Sequence, residues 1–203
     1  LLFSATLPPW VEQLLRRFCR PDYRTVDLMS SQSSQATNCV MHKCVRCDRC
    51  LETSILPDLI QCHADGQRTI VFVDTKANCD KVAQMIATSI RARAIHGDLQ
   101  QKTRDITLEA FRRGDIDVLV ATDVAARGLD IPEVGLVIQT SLPKDIESYI
   151  HRAGRTGRAE NSGTCISIVS RSTEYLLKRI QFKARIRFQW IEPPQMADRK
   201  SVV

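Results

Sequence analysis

Residues 69–90 read TIVFVDTKANCDKVAQMIATSI. The opening TIVFV (69–73) is β-branched and apolar almost without a break, which predicts a strand covered on both faces, since a half-solvated strand would alternate. The following ANCDKVAQMIATSI (77–90) carries helical spacing. Outward from this pair the pattern recurs: DVLVA (117–121), GLVIQT (135–140) and TCISIV (164–169) are further strand-like runs, and QQKTRDITLEAFRRG (100–114) and KDIESYIHRAG (144–154) are helical. In the first of these helices Ile106, Ala110 and Arg113 share one face, Asp105, Glu109 and Arg112 another, and Gly114 supplies the stop. Strands alternating with helices predict an α/β domain, a mostly parallel sheet flanked by helices on both faces and joined by right-handed crossovers.

Composition agrees with one sizeable domain, or one with an appendage. The 203 residues are 43% hydrophobic and 26% charged, which suits a chain that buries a core and excludes disorder and collagen-like repeats. No apolar run approaches the roughly 20 residues a bilayer demands, and LLFSATLPPW at the start lacks the charged segment of a signal peptide, so no membrane partner and no secretion are expected. Lys and Arg number 29 against 23 Asp and Glu, an excess compatible with a polyanionic partner without requiring one. Cys19, Cys79 and Cys165 sit singly in apolar stretches, which favours packed thiols in a reducing compartment over a disulfide framework.

The densest cluster of chemistry is YIHRAGRTGRA (149–159), with His151, Arg152, Arg155 and Arg158 interleaved by Gly154 and Gly157. Arginines at a helix end and in the next turn can project toward one anion, and the guanidinium fork suits the terminal phosphate of a nucleotide. Upstream, ATDVAARGLDIPEV (121–134) follows a strand directly, so Thr122, Asp123, Arg127, Gly128 and Asp130 occupy the kind of loop where open α/β sheets bind phosphate and sugar. An internal Arg127–Asp130 pair is an equal reading of those two residues.

RGLDIP followed at this distance by HRAGRTGR resembles motifs V and VI of superfamily 2 helicases of the DEAD-box type. In order along the chain, SAT (4–6) resembles motif III, IVFVDTK (70–76) motif IV, HGDLQQKTRD (96–105) motif IVa, and FRRGDIDVLVATD (111–123) the approach to motif V. Within that group the run from HGDLQQK to SYIHRAGRTGR, with the extension from Lys183 to Glu192, looks most like the nucleolar Gu-type helicases. No G-x-x-x-x-G-K-[ST] phosphate loop and no Asp-Glu dipeptide occur. The resemblance therefore implies a C-terminal RecA-like domain, over 39–193, preceded by a stub of domain one (1–29) and a linker, the polar SSQSSQATN (30–38), and followed by a tail (194–203).

The roles implied follow the motifs. Arg155 and Arg158 match arginine fingers for the γ-phosphoryl group, Asp130 matches a ribose-contacting carboxylate, and Arg127 and His151 match positions that couple the two RecA-like domains around ATP and Mg²⁺. Thr75, Lys76, Gly97, Gln101, Arg104 and Thr122 match positions that hold the RNA backbone, which carries no sequence information. Charge agrees locally: Arg91, Arg93, Lys102, Arg104, Arg112 and Arg113 outnumber Asp98, Asp105 and Glu109. The implied activity is ATP-dependent local unwinding of RNA or remodelling of RNA–protein particles, in rRNA or other RNA processing, with the fragment inert alone. The implied partners are RNA, domain one of the same protein, and a second copy through a further C-terminal module. The implied address is the nucleolus or nucleus, although cytoplasmic and mitochondrial relatives share the motifs. The competing reading is a non-catalytic RNA-binding or regulatory module with a helicase-like fold, which would have no need of the fingers.

Two stretches stand apart. His42, Cys44, Cys47, Cys50, Cys62 and His63 admit a metal reading, but steps of three suit a strand poorly, and a strand over TNCVMHKCVRC with packed thiols is preferred, so no metal site is assigned. After a helix over TEYLLKRIQFKA (173–184), the cations Lys178 to Arg187 interleave with Phe182, Ile186, Phe188 and Trp190. Such a segment binds RNA or packs back onto the domain, and packing is the expectation.

Overall fold

The computed structural model describes residues 9–26, 39–47, 54–126, 131–157 and 162–194. The chain divides into two compact units, residues 1–33 and 34–203. In the first, helix α1 (Pro9–Phe18) opens on a proline, whose fixed φ suits a first turn, and carries Arg16 and Arg17 at its C-terminal end, where cations complement the dipole.

The second unit repeats a strand followed by a helix: β1 (Val40–Arg46), α2 (Leu56–His63), β2 (Thr69–Phe72), α3 (Lys76–Ile86), β3 (Ala92–Ile95), α4 (Gln101–Arg113), β4 (Val118–Ala121), α5 (Asp123–Ala126), β5 (Leu136–Gln139), α6 (Ile146–Ala153), β6 (Gly163–Val169), α7 (Glu174–Ala184) and β7 (Gln189–Ile191). The seven strands form one sheet in the order β3-β4-β2-β5-β6-β1-β7, and every pairing is parallel. Four of the five inner strands, β2, β4, β5 and β6, are buried at every position, which is why their sequences read as continuous apolar runs.

Alternate residues of these strands feed two cores. Ile70, Phe72, Leu119, Ala121, Val137 and Cys165 pack against α4, α6 and α7, whereas Val71, Val118, Val120, Leu136, Ile138 and Ile166 pack against α2 and α3. Helices thus cover both faces, as the apolar runs predict. In α4 the core-facing stripe runs through Thr107, Leu108, Ala110 and Phe111, so Ala110 is buried while Ile106, on the same predicted face, stands 53% exposed. Gly114 ends α4 in the left-handed region at φ 83°, the stop expected of it.

Two strands escape the sequence reading. β3 alternates Ala and Arg at one edge of the sheet, where charged side chains discourage pairing with another chain, and β7 adds Gln189–Ile191 at the other edge. β1 carries the cysteine-rich stretch. Cys44 and Cys47 are buried, and burial pushes the Cys44 thiol up to about 11. Cys79 and Cys165 are fully buried, while Cys19 is half-buried. Cys50 lies outside the described residues. Among the described residues no group of three or more His, Cys, Asp or Glu side chains could hold a metal ion, and no helix is long and apolar enough to cross a membrane.

Candidate nucleotide and RNA site

Thr75, Gly97 and Thr122 lie just beyond the C-terminal ends of β2, β3 and β4, with Lys76, Gln101 and Arg104 in the helices that follow, where an open parallel sheet presents its loops, whereas α6 carries His151 and Arg155 back toward the strands' N-terminal ends. The glycine-broken turn after α6 is built by its neighbours. Asp145 caps α6 by accepting from the Ser148 N–H at 2.7 Å, and Gly154 closes the helix. The Val134 N–H donates to the Arg155 carbonyl at 3.2 Å, and the buried Thr156 hydroxyl donates to the Val134 and Gly135 carbonyls at 2.5 and 3.1 Å. Gly157 has φ 71°, and a Cβ there would stand 2.5 Å from Val40 Cγ2 and 3.0 Å from the Cys39 carbonyl oxygen. The turn is therefore pinned to the entry of β5 and to β1, with Arg155 on its rim.

Arg155 and His151 share a small cleft with Phe72, Asp123, Ala126, Ser148 and Arg152. Arg152, in sequence part of the same basic cluster, is unavailable to an external anion. It is 4% exposed, its Nε and Nη2 donate to the two Asp123 oxygens at 2.6 Å each, Nη1 donates to the Ser141 carbonyl at 2.9 Å, and its guanidinium lies over the Phe72 ring. With Asp123 neutralising Arg152, the half-buried Arg155 and exposed His151 are left facing the cleft. Arg127, Asp130 and Arg158 lie outside the described residues.

The second group gathers at β2, β3 and β4. Thr75 caps α3, its hydroxyl accepting from the Asn78 N–H at 3.2 Å, so its proton remains to be donated. Lys76 pairs with Asp98, and its Cε lies 3.9 Å from where a Cβ on Gly97 would stand. The hydrogen bond from Lys76 holds the Asp98 carboxyl below the usual range. Both partners are more than half exposed, so the pair is weak and a phosphate competes for Lys76 readily. Arg104 donates to Gln101 at 3.1 Å, and Gln101 in turn donates to Asp105 at 2.8 Å. The Arg104 Nε–H has no hydrogen-bond partner. Thr122, buried, receives the end of β3 through its N–H to the Ile95 carbonyl at 3.4 Å.

The structure thus joins Lys76 to the Gly97–Asp98 loop, Gln101 to Arg104, and His151 to Arg155 across one cleft. The sequence reading missed the commitment of Asp123 to Arg152. The available signal was their placement: Asp123 opens the loop helix α5 one residue after β4, and Arg152 sits on α6 between core residues Tyr149 and Ala153.

Residues 52–160 match the helicase conserved C-terminal domain family. Nucleolar RNA helicase 2 of Rattus norvegicus is 43% identical over 199 residues, covering 98% of this chain and 25% of that protein. The chain spans about a quarter of the length of the curated relatives it matches. Among solved structures, the C-terminal domain of the DEAD-box protein Dbp5 is 30% identical with a TM-score of 0.69, covering 76% of this chain and 91% of that one. S. cerevisiae Dbp5 bound to RNA and ADP BeF3 is 29% identical with a TM-score of 0.81, covering 97% and 52%.

Proposed function

The chain belongs to the helicase conserved C-terminal domain family, in its DEAD-box branch, and from that premise we propose that it is the second RecA-like domain of an ATP-dependent RNA helicase. In this reading residues 1–29 end a first RecA-like domain, 30–38 link the two, and 39–193 form the second. The first domain supplies most contacts to ATP and Mg²⁺, and closure brings Arg155 and Arg158 against the γ-phosphoryl group, where arginine fingers are worth about 10³–10⁵ in rate. Asp130 receives the ribose hydroxyls, and Arg127 and His151 couple the lobes. Thr75, Lys76, Gly97, Gln101, Arg104 and Thr122 hold the sugar–phosphate backbone of RNA.

The observation that carries the reading is the cleft itself: Arg155 is presented from a turn held by Val134, Thr156 and Gly157, while the neighbouring Arg152 is already neutralised by Asp123. Preorganised cations lining a cleft suit an anion delivered by another lobe. Asp123, the acidic side chain lining this cleft, is committed to Arg152, which supports assigning the Mg²⁺ ligands to the first domain. ATP turnover is coupled to local separation of RNA strands or remodelling of RNA–protein particles. The likeness to Nucleolar RNA helicase 2 supports a nucleolar address and a part in ribosome biogenesis.

The test uses the two-domain protein. Arg155→Ala and Arg158→Ala are each expected to reduce RNA-stimulated ATP hydrolysis by at least about 100-fold, while the 203-residue chain alone has no measurable turnover. Wild-type turnover in both variants would sink the finger assignment and favour a non-catalytic binding module.

A further inference from the structure

Helix α7 buries Leu176, Leu177 and Ile180 and turns Tyr175, Lys178, Arg179 and Phe182 to solvent. The four outward residues occupy positions i, i+3, i+4 and i+7, which is one stripe of a helix, with the two rings about 10 Å apart along its axis. Phe182 is 85% exposed and Tyr175 65%. The rest of the segment behaves differently: Arg185 adopts φ 54°, which turns the chain back, and Ile186 and Phe188 then pack against the core while Arg187 points outward. The expectation that this segment packs onto the domain therefore holds for Ile186 and Phe188 and fails for Phe182.

The cations follow the rings. Lys178, Arg179, Lys183, Arg185 and Arg187 are all exposed, and among the described residues none of them forms an ion pair. The acidic residue at the start of the helix, Glu174, is already engaged with Arg46 at 2.9 Å. A convex helix with a ring at each end of one stripe and two cations between them offers no groove for an apolar peptide. It offers faces on which bases stack and charges spaced between them for phosphates, a combination that is tolerant of sequence. α7 starts from the C-terminal edge of β6 and α3 from that of β2, two strands or roughly 10 Å away across the sheet but on the opposite face, so an RNA strand reaching both Thr75–Lys76 and Tyr175 passes over that edge.

We propose that the outward face of α7, with the turn at 185–187, is a second binding site for single-stranded RNA, in which bases stack on Tyr175 and Phe182 and phosphates pair with Lys178, Arg179 and Lys183. The inference rests on the reading of this chain as an RNA helicase domain, and adds a site apart from the one at Thr75 to Thr122. Such a site would hold the flank of an RNA whose neighbouring segment is being remodelled.

The 203-residue chain is titrated with a fluorescein-labelled single-stranded RNA dodecamer, read by anisotropy over a salt series. Tyr175→Ala with Phe182→Ala is expected to weaken binding at least tenfold, Phe182→Trp to retain it, and Lys178→Glu with Arg179→Glu to weaken it at least tenfold and flatten the salt dependence. Circular dichroism checks that the variants fold. Wild-type affinity in the ring variants would overturn the proposal and leave the face to a protein partner. Loss on charge reversal without loss on ring removal would overturn the stacking site and leave only diffuse attraction. Absence of binding by the wild-type chain would also overturn it. None of these outcomes touches the ATPase of the two-domain protein, which tests the helicase reading separately.

Discussion

Arg152 and Asp123 are joined by two parallel hydrogen bonds of 2.6 Å, a fork-to-fork pair between α6 and the residue that follows Thr122. The pair ties the helix before the Arg155 turn to the loop after β4, and it does so from a side chain only 4% exposed. Its contribution is positional. The charges of the two motifs are cancelled internally at Arg152, so that Arg155 alone among these described arginines lines the cleft without being buried.

Removing Arg152 leaves Asp123 without its partner and opens a cavity over Phe72. Arg152→Ala is expected to lower stability by about 3–5 kcal/mol in urea denaturation, and Asp123→Asn by a comparable amount, because it leaves a guanidinium only 4% exposed without its counter-charge. Arg155→Ala should stay within about 1 kcal/mol of wild type. A loss at Arg155 as large as at Arg152 would contradict their division into binding and positioning roles.

Gly157 carries the turn and Gly154 does not. Gly157→Ala meets both a left-handed φ and contacts with Val40 and the Cys39 carbonyl, so a loss of about 2–4 kcal/mol is expected. Gly154 has φ −70°, and a Cβ there would lie 3.1 Å from the Ile150 carbonyl oxygen, a smaller strain. Thermal unfolding of the two variants decides between them, and equal losses would show that the turn is not governed by Gly157.

Arg104 tests the RNA face. Each phosphate released from a single strand lowers the slope of log affinity against log salt by about 0.7. Arg104→Ala is expected to weaken RNA binding and to lower the slope by that amount, while an unchanged slope would remove Arg104 from the phosphate contacts.

His42 makes stability depend on pH. It packs against Tyr149 and Phe188, its Nδ1 lies 2.8 Å from the Tyr149 hydroxyl, and burial lowers its pKa from 6.5 to about 4. Between those values the unfolded chain takes up a proton that the fold refuses. Stability is therefore complete above pH 6.5 and declines as pH falls toward 4, by up to about 3 kcal/mol. His63, lowered by burial and by Lys43, acts in the same direction. His42→Gln should flatten the profile measured by urea midpoint, and a wild-type pH dependence in that variant would locate the effect elsewhere.

Legibility in the sequence followed locality. β2, β4, β5 and β6 were readable because strands buried on both faces write that burial into four or more consecutive residues. The stop at Gly114 was readable for the same reason, being decided within one helical turn. β3 and β7 were not, because an edge strand has one neighbour and need not be apolar, and Ala92–Ile95 and Gln189–Ile191 become strands only through β4 and β1.

By itself, then, the sequence determined the alternation of strands and helices, the two-faced burial of the sheet, and the motifs that assign the chain to its family. Only the tertiary structure decided which charges remain for function. Asp123 and Arg152 stand 29 residues apart, and nothing local says that they cancel each other. Likewise Phe182 and Phe188 look alike in sequence, yet one faces solvent and the other packs beside His42 and Tyr149, because burial depends on which side of the sheet and helix the chain has already covered.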